Sequence, residues 1–225
     1  MSDPSRQLID SWRANAPAWA SAVRSGSIAS RRLATDAAIL RAVRERSPAR
    51  VLDAGCGEGW LVRALAADGI QVTGMDASAP LIELARAEGG GEFILCSYAE
   101  AIEQPDRVGG PYDVVVLNFA LFEESPAPLL GALGTRLLPG GVLLIQTIHP
   151  WSDAGRGRYV DGWRTETFSG MDGFVESMPW YFRTMTSWLE LLRESGYRLE
   201  RLREPAHPDT GEPLSLLLAA VPNRP

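Results

Sequence analysis

Early in the chain ten residues concentrate its chemistry: Val51-Leu52-Asp53-Ala54-Gly55-Cys56-Gly57-Glu58-Gly59-Trp60. An apolar run ends in an acid and then passes through three glycines at alternate positions. Glycines so placed let the backbone approach a ligand and adopt dihedrals that a Cβ forbids. Asp53, two residues before the first glycine, decides the sign of that ligand. A helix N-terminus behind a glycine turn attracts pyrophosphate through its NH groups and dipole, and a neighbouring carboxylate repels it. Carboxylate and carbonyl oxygens instead suit a cation, such as a ligand with ammonium and sulfonium groups. The dinucleotide fingerprint G-x-G-x-x-G expects its third glycine at position 60, where this chain has Trp60; here the third glycine is Gly59. On the glycines alone, a tight strand-to-helix turn without a ligand is the alternative.

A second acid follows at a telling distance. Leu61 to Ala67 reads as a helix ended by Gly69, and Ile70 to Met75 as a short β-prone run that delivers Asp76, 17 residues beyond Gly59. A carboxylate at the tip of a second parallel strand can accept from both hydroxyls of a ribose. Its other reading is an N-cap for the helix starting near Ala79, a role open to Ser78 as well. Further runs complete a parallel sheet within residues 49–147: Phe93 to Cys96, Tyr112 to Leu117, and Val142 to Thr147 after the breaker Pro139-Gly140-Gly141. A helix from about Ala127 to Leu138 precedes that breaker, and a helix from Ser187 to Ser195 leads into strands Tyr197 to Arg203 and Ser215 to Val221.

"VLDAGCGEGW" and "LLPGGVLLI" resemble the class I S-adenosylmethionine-dependent methyltransferases, whose first motif is a strand followed by acid-x-G-x-G-x-G. The resemblance implies an α/β, Rossmann-like, seven-stranded and mostly parallel sheet with helices on both faces. It implies a single domain: a helical cap (1–48), a cofactor-binding core (49–147), a substrate-cover insert (148–182) and a closing helix and hairpin (183–225). In the cap, a second helix runs from about Ser30 to Arg46. The cofactor implied is S-adenosylmethionine, held by Asp53, Gly55, Cys56 and Gly57 at the glycine turn and by Asp76 and Ala77 at the ribose. Ser97, Tyr98 and Ala99 stand where the family meets adenine, and Asn118 and Phe119 form the floor beside the reacting methyl group. The family usually has an aspartate at the position of Tyr98, so the adenine contact must come from a backbone group, from Ser97 or from stacking on the Tyr98 ring. In the cap, Trp19 either roofs the cofactor or packs the cap on the sheet. Arg32 either pairs with the cofactor carboxylate or is a solvated charge.

The implied reaction is direct methyl transfer to a small aromatic or apolar acceptor. It demands alignment and exclusion of water more than acid–base work. If the acceptor is a hydroxyl, His149, just past the fifth strand, is the best-placed base, with His207 second. Tyr159, Tyr181 and Arg183 are candidates for orienting the acceptor. Residues 148–182 hold 8 of the chain's 18 aromatics, an unusual density for a connection, and Asp161-Gly162 predicts a hairpin turn between Arg158–Val160 and Trp163–Thr165.

Composition bounds the rest. At 225 residues with net charge −6 the chain lacks the basic face a nucleic-acid partner needs. No apolar run approaches the ~18 residues of a membrane span, and the polar start carries no leader pattern, so a cytoplasmic enzyme is expected. Two cysteines and two histidines make neither a disulfide framework nor a metal cluster. All 22 basic residues are arginine, which excludes lysine Schiff-base chemistry. Two other classes stay open: an S-adenosylmethionine-binding regulator without transfer activity, and a nicotinamide-dependent oxidoreductase. The acceptor and the oligomeric state are not legible.

Overall fold

In the computed structural model, residues 3–154 and 157–223 are described. Five strands pair in parallel: β1 (Arg50–Ala54), β2 (Gln71–Asp76), β3 (Glu92–Leu95), β4 (Tyr112–Asn118) and β5 (Leu137–Ile148). Val114 to Leu117 of β4 are wholly buried, as a strand covered on both faces must be. β8 (Tyr197–Arg203) and β9 (Ser215–Pro222) close the sheet antiparallel, giving the order β3-β2-β1-β4-β5-β9-β8. The chain leaves β1 toward β2 and β3, then returns to place β4 on the other side. That reversal opens a crevice at the C-terminal ends of β1 and β4, the place where open α/β sheets bind ligands.

Helices cover both faces. On one side α3 (Asp36–Arg44), α4 (Trp60–Ala66) and α5 (Ala79–Glu88) bury Ile39, Val43, Leu61 and Ile82 against Val51, Val114 and Val116. On the other, α6 (Tyr98–Glu103), α7 (Ala127–Gly134) and α9 (Met185–Glu194) bury Ala101, Leu130 and Trp188 against Leu52, Val115 and Leu143. The short α8 (Pro150–Ala154) follows β5.

The cap is built from helices in two parts. Its first part is two helices, α1 (Pro4–Ala14) and α2 (Ala16–Ser25), broken at Asn15. Asn15 is fully buried; its Oδ1 accepts from Val175 and Glu176 N–H, and its Nδ2 donates to Glu176 O at 2.7 Å. One amide thus ties the cap to the insert. The second part opens with a π-helical turn, Arg31–Thr35, before α3. Its wider i to i+5 turn sets Arg31 beside Asp36, Nε to Oδ1 at 2.9 Å.

The insert forms its own two-stranded sheet, β6 (Gly162–Glu166) and β7 (Met178–Phe182), with Trp163 opposite Tyr181 and Arg164 opposite Trp180. The expected Asp161-Gly162 turn is not a hairpin turn: Gly162 begins β6, and Asp161 accepts from Thr184 N–H at 2.8 Å. Burial decides between the two pairings. Tyr159 and Val160 are exposed, whereas the partner strand β7 sinks Trp180 and Phe182 into a cluster with Leu8 and Phe122.

Candidate active site

The crevice is built around the β1–α4 turn. Gly55, Gly57 and Gly59 all have positive φ, and Gly55 N and Cys56 N both donate to Met75 O, locking the turn to β2. Cys56 is buried with Sγ against Gly74, where a Cβ would lie 2.8 Å from the sulfur. Glu58, buried and unforeseen as a site residue, pairs with Arg63 at 2.6 Å and with Arg24 of α2 at 3.1 Å, fastening the cap to the turn.

Asp53, the residue before the end of β1, has only 2% of its surface exposed, and its Oδ1 has no hydrogen-bond partner. Burial first, then repulsion from Asp76, pushes its carboxyl up to about 7; Arg31 acts in the opposite direction. A buried acceptor left unpaired is costly unless something donates to it. Arg31, its guanidinium 4.4 Å from the Trp60 ring centroid, is the arginine the π turn directs toward this acid. Arg32 instead is exposed, its chain running beside Gly26.

Asp76 closes the tip of β2. Its Oδ2 accepts from Gly57 N–H at 2.9 Å and its Oδ1 from Ser78 N–H at 2.8 Å, while Ala77 beside it is exposed. Burial raises its pKa against those backbone donors. Ser97 is committed locally: a capping box with Glu100 starts α6 and uses its hydroxyl, leaving Ala99 exposed in the first turn. Tyr98 leaves that turn in the other direction. Its hydroxyl donates to Ala120 O at 2.9 Å and lies 3.4 Å from Ala54 O, and burial drives its pKa well above 10.

Asn118 ends β4 with Oδ1 accepting from Gln146 Nε2 at 2.8 Å, and Phe119 turns the chain with φ of 51°. The loop beyond it carries Glu123, a half-buried carboxylate between Tyr98 and Arg183 whose pKa burial raises. No motif marked Glu123 in the sequence; only the path of this loop brings it to the crevice. Arg183 is buried and clamps the loop, donating from Nη2 to Glu123 O and Glu124 O, while its Nη1 has no partner. Tyr181 N–H bonds Phe122 O at 2.8 Å, so β7 is stitched to the same loop.

Trp19 packs edge-on against Phe168 and Phe174 and lies 5.1 Å from Trp12, joining cap to insert. Much of the insert's aromatic surface is therefore engaged in this cluster. An open cleft of about 480 Å³ remains on the hairpin, lined by Arg158, Asp161, Trp163, Arg164 and Trp180. His149 is buried past the end of β5, Nε2 at 2.8 Å from Glu204 Oε1 and Nδ1 accepting from Trp151 N–H. Both ring nitrogens are engaged. His207 lies in the loop between β8 and β9, where its Nδ1 accepts from Asp209 N–H.

The sheet order and the switch-point crevice define a Rossmann-like fold with a ligand site at the glycine turn. The chain belongs to the methyltransferase-domain family, whose model matches residues 27–202, from just after α2 in the cap through most of β8. Over 110 residues it is 38% identical to a ubiquinone biosynthesis O-methyltransferase of Xylella fastidiosa, a stretch covering 46% of this chain and 43% of that relative. The chain thus aligns with less than half the length of the curated relatives it matches. Among solved structures, an S-adenosylmethionine-dependent methyltransferase of Mesorhizobium loti superposes with TM-score 0.63 at 27% identity, over 80% of this chain and 95% of that one. The 1,6-didemethyltoxoflavin-N1-methyltransferase of Burkholderia thailandensis shares the fold, with TM-score 0.66 and 20% identity over 100% and 92% of the two chains.

Proposed function

We propose that this chain transfers a methyl group from S-adenosylmethionine to a small acceptor held beneath the β6–β7 insert. The observation that carries the reading is the buried, unpartnered Oδ1 of Asp53 at a glycine turn where Gly57 has open space. That pair fits an ammonium group and disfavours a pyrophosphate. S-adenosylmethionine, when bound, supplies a methyl group already activated by its sulfonium. Asp53 would accept from the ammonium. Asp76, held by the backbone N–H groups of Gly57 and Ser78, would take a ribose hydroxyl on its remaining acceptor capacity. Cys56, Ala77, Ala99, Asn118 and Phe119 would line the remaining walls, and Arg31, in place of Arg32, would face the carboxylate end.

The remaining work is positioning. Arg183 and Tyr181 hold the loop after β4 against β7, and the cap cluster around Trp19 and Phe168 keeps water from that side. A flat acceptor with an apolar body suits the Trp163–Trp180 cleft, whose Arg158, Asp161 and Arg164 supply polar anchors. For an acceptor that must lose a proton, Glu123, on the loop after β4 and close to the Tyr98 phenol, is the first candidate. His149, its ring already shared between Glu204 and Trp151, is the second candidate. The net charge and the free thiols of Cys56 and Cys96 accord with a cytoplasmic enzyme on small molecules, apart from nucleic acid. No helix of the described residues is long and apolar enough to cross a membrane.

Calorimetry with S-adenosylmethionine, S-adenosylhomocysteine and NAD tests the cofactor, with binding of the first two and not the third expected. Preferential binding of NAD would overturn the reading in favour of an oxidoreductase. A screen for transfer to hydroxylated aromatics, amines and small acids tests the reaction. Tight cofactor binding with no transfer across that screen would favour a regulator, a reading supported by the tyrosine standing at the adenine position.

A further inference from the structure

The Tyr98 hydroxyl lies against the first glycine of the β1–α4 turn. The first glycine of that turn, Gly55, faces a phenol: a Cβ placed there would lie 2.7 Å from the Tyr98 hydroxyl and 2.5 Å from Ala120 Cβ. Gly57, two residues on, has nothing within 4 Å of the same point. The space that missing side chains create is therefore open at one glycine and filled at the other. The hydroxyl, which shares that space with Ala120 Cβ, donates to Ala120 O and sits near Ala54 O, the carbonyl that ends β1. It draws the ends of β1 and β4 together across the crevice at the switch point.

We propose that Tyr98 is the entry gate of the cofactor site, closed by its hydrogen bond to Ala120 O across Gly55 and swung out when the cofactor binds. This rests on the crevice being the cofactor site proposed above. A cation reaching Asp53 along the glycine turn must displace the phenol and satisfy the carbonyls it leaves. The gate is uncharged in use, because burial and the nearby carboxylates of Glu123, Asp76 and Asp53 all keep the phenol protonated. It can also swing without breaking the helix that carries it. Tyr98 is the first residue of α6, whose start is secured independently by the Ser97–Glu100 capping box. A smaller acid at this position would leave only Ala120 against Gly55; the tyrosine closes the remaining side.

The consequence is a binding-competent fraction below one, which weakens apparent affinity by that fraction. Loss of the hydroxyl bond in Tyr98→Phe tightens S-adenosylhomocysteine by about three- to tenfold, and Tyr98→Ala tightens it further. Calorimetry on the full chain measures both. Stopped-flow intrinsic fluorescence adds a second reading: observed rates in the wild type level off with ligand at the gate-opening rate, and in Tyr98→Ala they rise linearly. Binding by Tyr98→Ala with little or none by the wild type supports the gate most strongly. Equal affinities and linear rates in all three proteins would overturn it while leaving the cofactor site intact. Failure of every folded form to bind S-adenosylhomocysteine would remove the cofactor reading itself, and the gate with it.

Discussion

The unpaired carboxyl of Asp53 makes a pH-linked prediction with a sign. Its pKa stands at about 7 in the folded chain against an ordinary 3.8, because burial and Asp76 both disfavour the anion. The folded state without ligand thus prefers the protonated acid, and the unfolded chain ionises first as pH rises. Asp53 therefore destabilises the unliganded fold progressively from about pH 4 to about pH 7, by about 4 kcal/mol in all. A ligand ammonium needs the anion, so affinity runs the other way. S-adenosylhomocysteine should bind about 25-fold more tightly at about pH 7.5 than at about pH 5.5, with a slope approaching tenfold per unit below the pKa. Near pH 6, calorimetry in buffers of different ionisation enthalpy should show about 0.9 proton released per ligand bound. Asp53→Asn removes both effects: it binds about tenfold or more weakly at neutral pH, loses the pH slope, and melts at a higher temperature when unliganded. An affinity flat across this range in the wild type, or an unchanged slope in Asp53→Asn, would refute the reasoning.

Further outcomes follow from the same geometry. Gly55→Ala meets Ala120 Cβ and the Tyr98 hydroxyl at positive φ, and should cost about 2–5 kcal/mol in thermal or urea unfolding, against about 1 kcal/mol for Gly57→Ala, which has open space; equal costs would count against the packing described at Gly55. Asn15→Ala leaves Val175 and Glu176 backbone groups without partners and should cost about 2–4 kcal/mol, with amide exchange rising first in residues 167–177. Uniform exchange over the whole chain would show that Asn15 does not tie the insert to the cap. Glu123→Gln, once the screen supplies an acceptor that ionises, should lower kcat about a hundredfold and abolish the acidic limb of its pH profile while S-adenosylhomocysteine affinity holds. Loss of cofactor affinity in that variant would instead assign Glu123 to cofactor binding.

The parts of the site that lie close along the chain were readable from residue types. Asp53 and the glycines occupy one strand-to-helix turn, and Asp76 follows after one helix and one strand, so local periodicity places both at the crevice. The strands β8 and β9 were equally plain as β-prone runs bounded by glycine or proline, while their antiparallel pairing came from the family resemblance. The insert was not. Asp161-Gly162 carries the strongest local hairpin signal, yet β6 pairs with β7 across a longer loop because that pairing buries Trp180 and Phe182 against α1 and Phe122. Arg31 and Arg32 are neighbours of one type, and only the π-helical turn decides which of them faces Asp53.

Sequence alone determined the sign of the ligand. A carboxylate beside a glycine turn favours a cation over an anion once it is ionised, although the pH at which it ionises is set by burial and by Asp76 in the fold. Only the tertiary structure decided access and assistance. Tyr98 covers Gly55 because α6 aims it across the sheet ends, and Glu123 reaches the crevice because Arg183, 60 residues away along the chain, holds its loop there. Charge and periodicity are properties of neighbouring residues; which side chain fills a shared space depends on segments far apart in the chain meeting when the core closes.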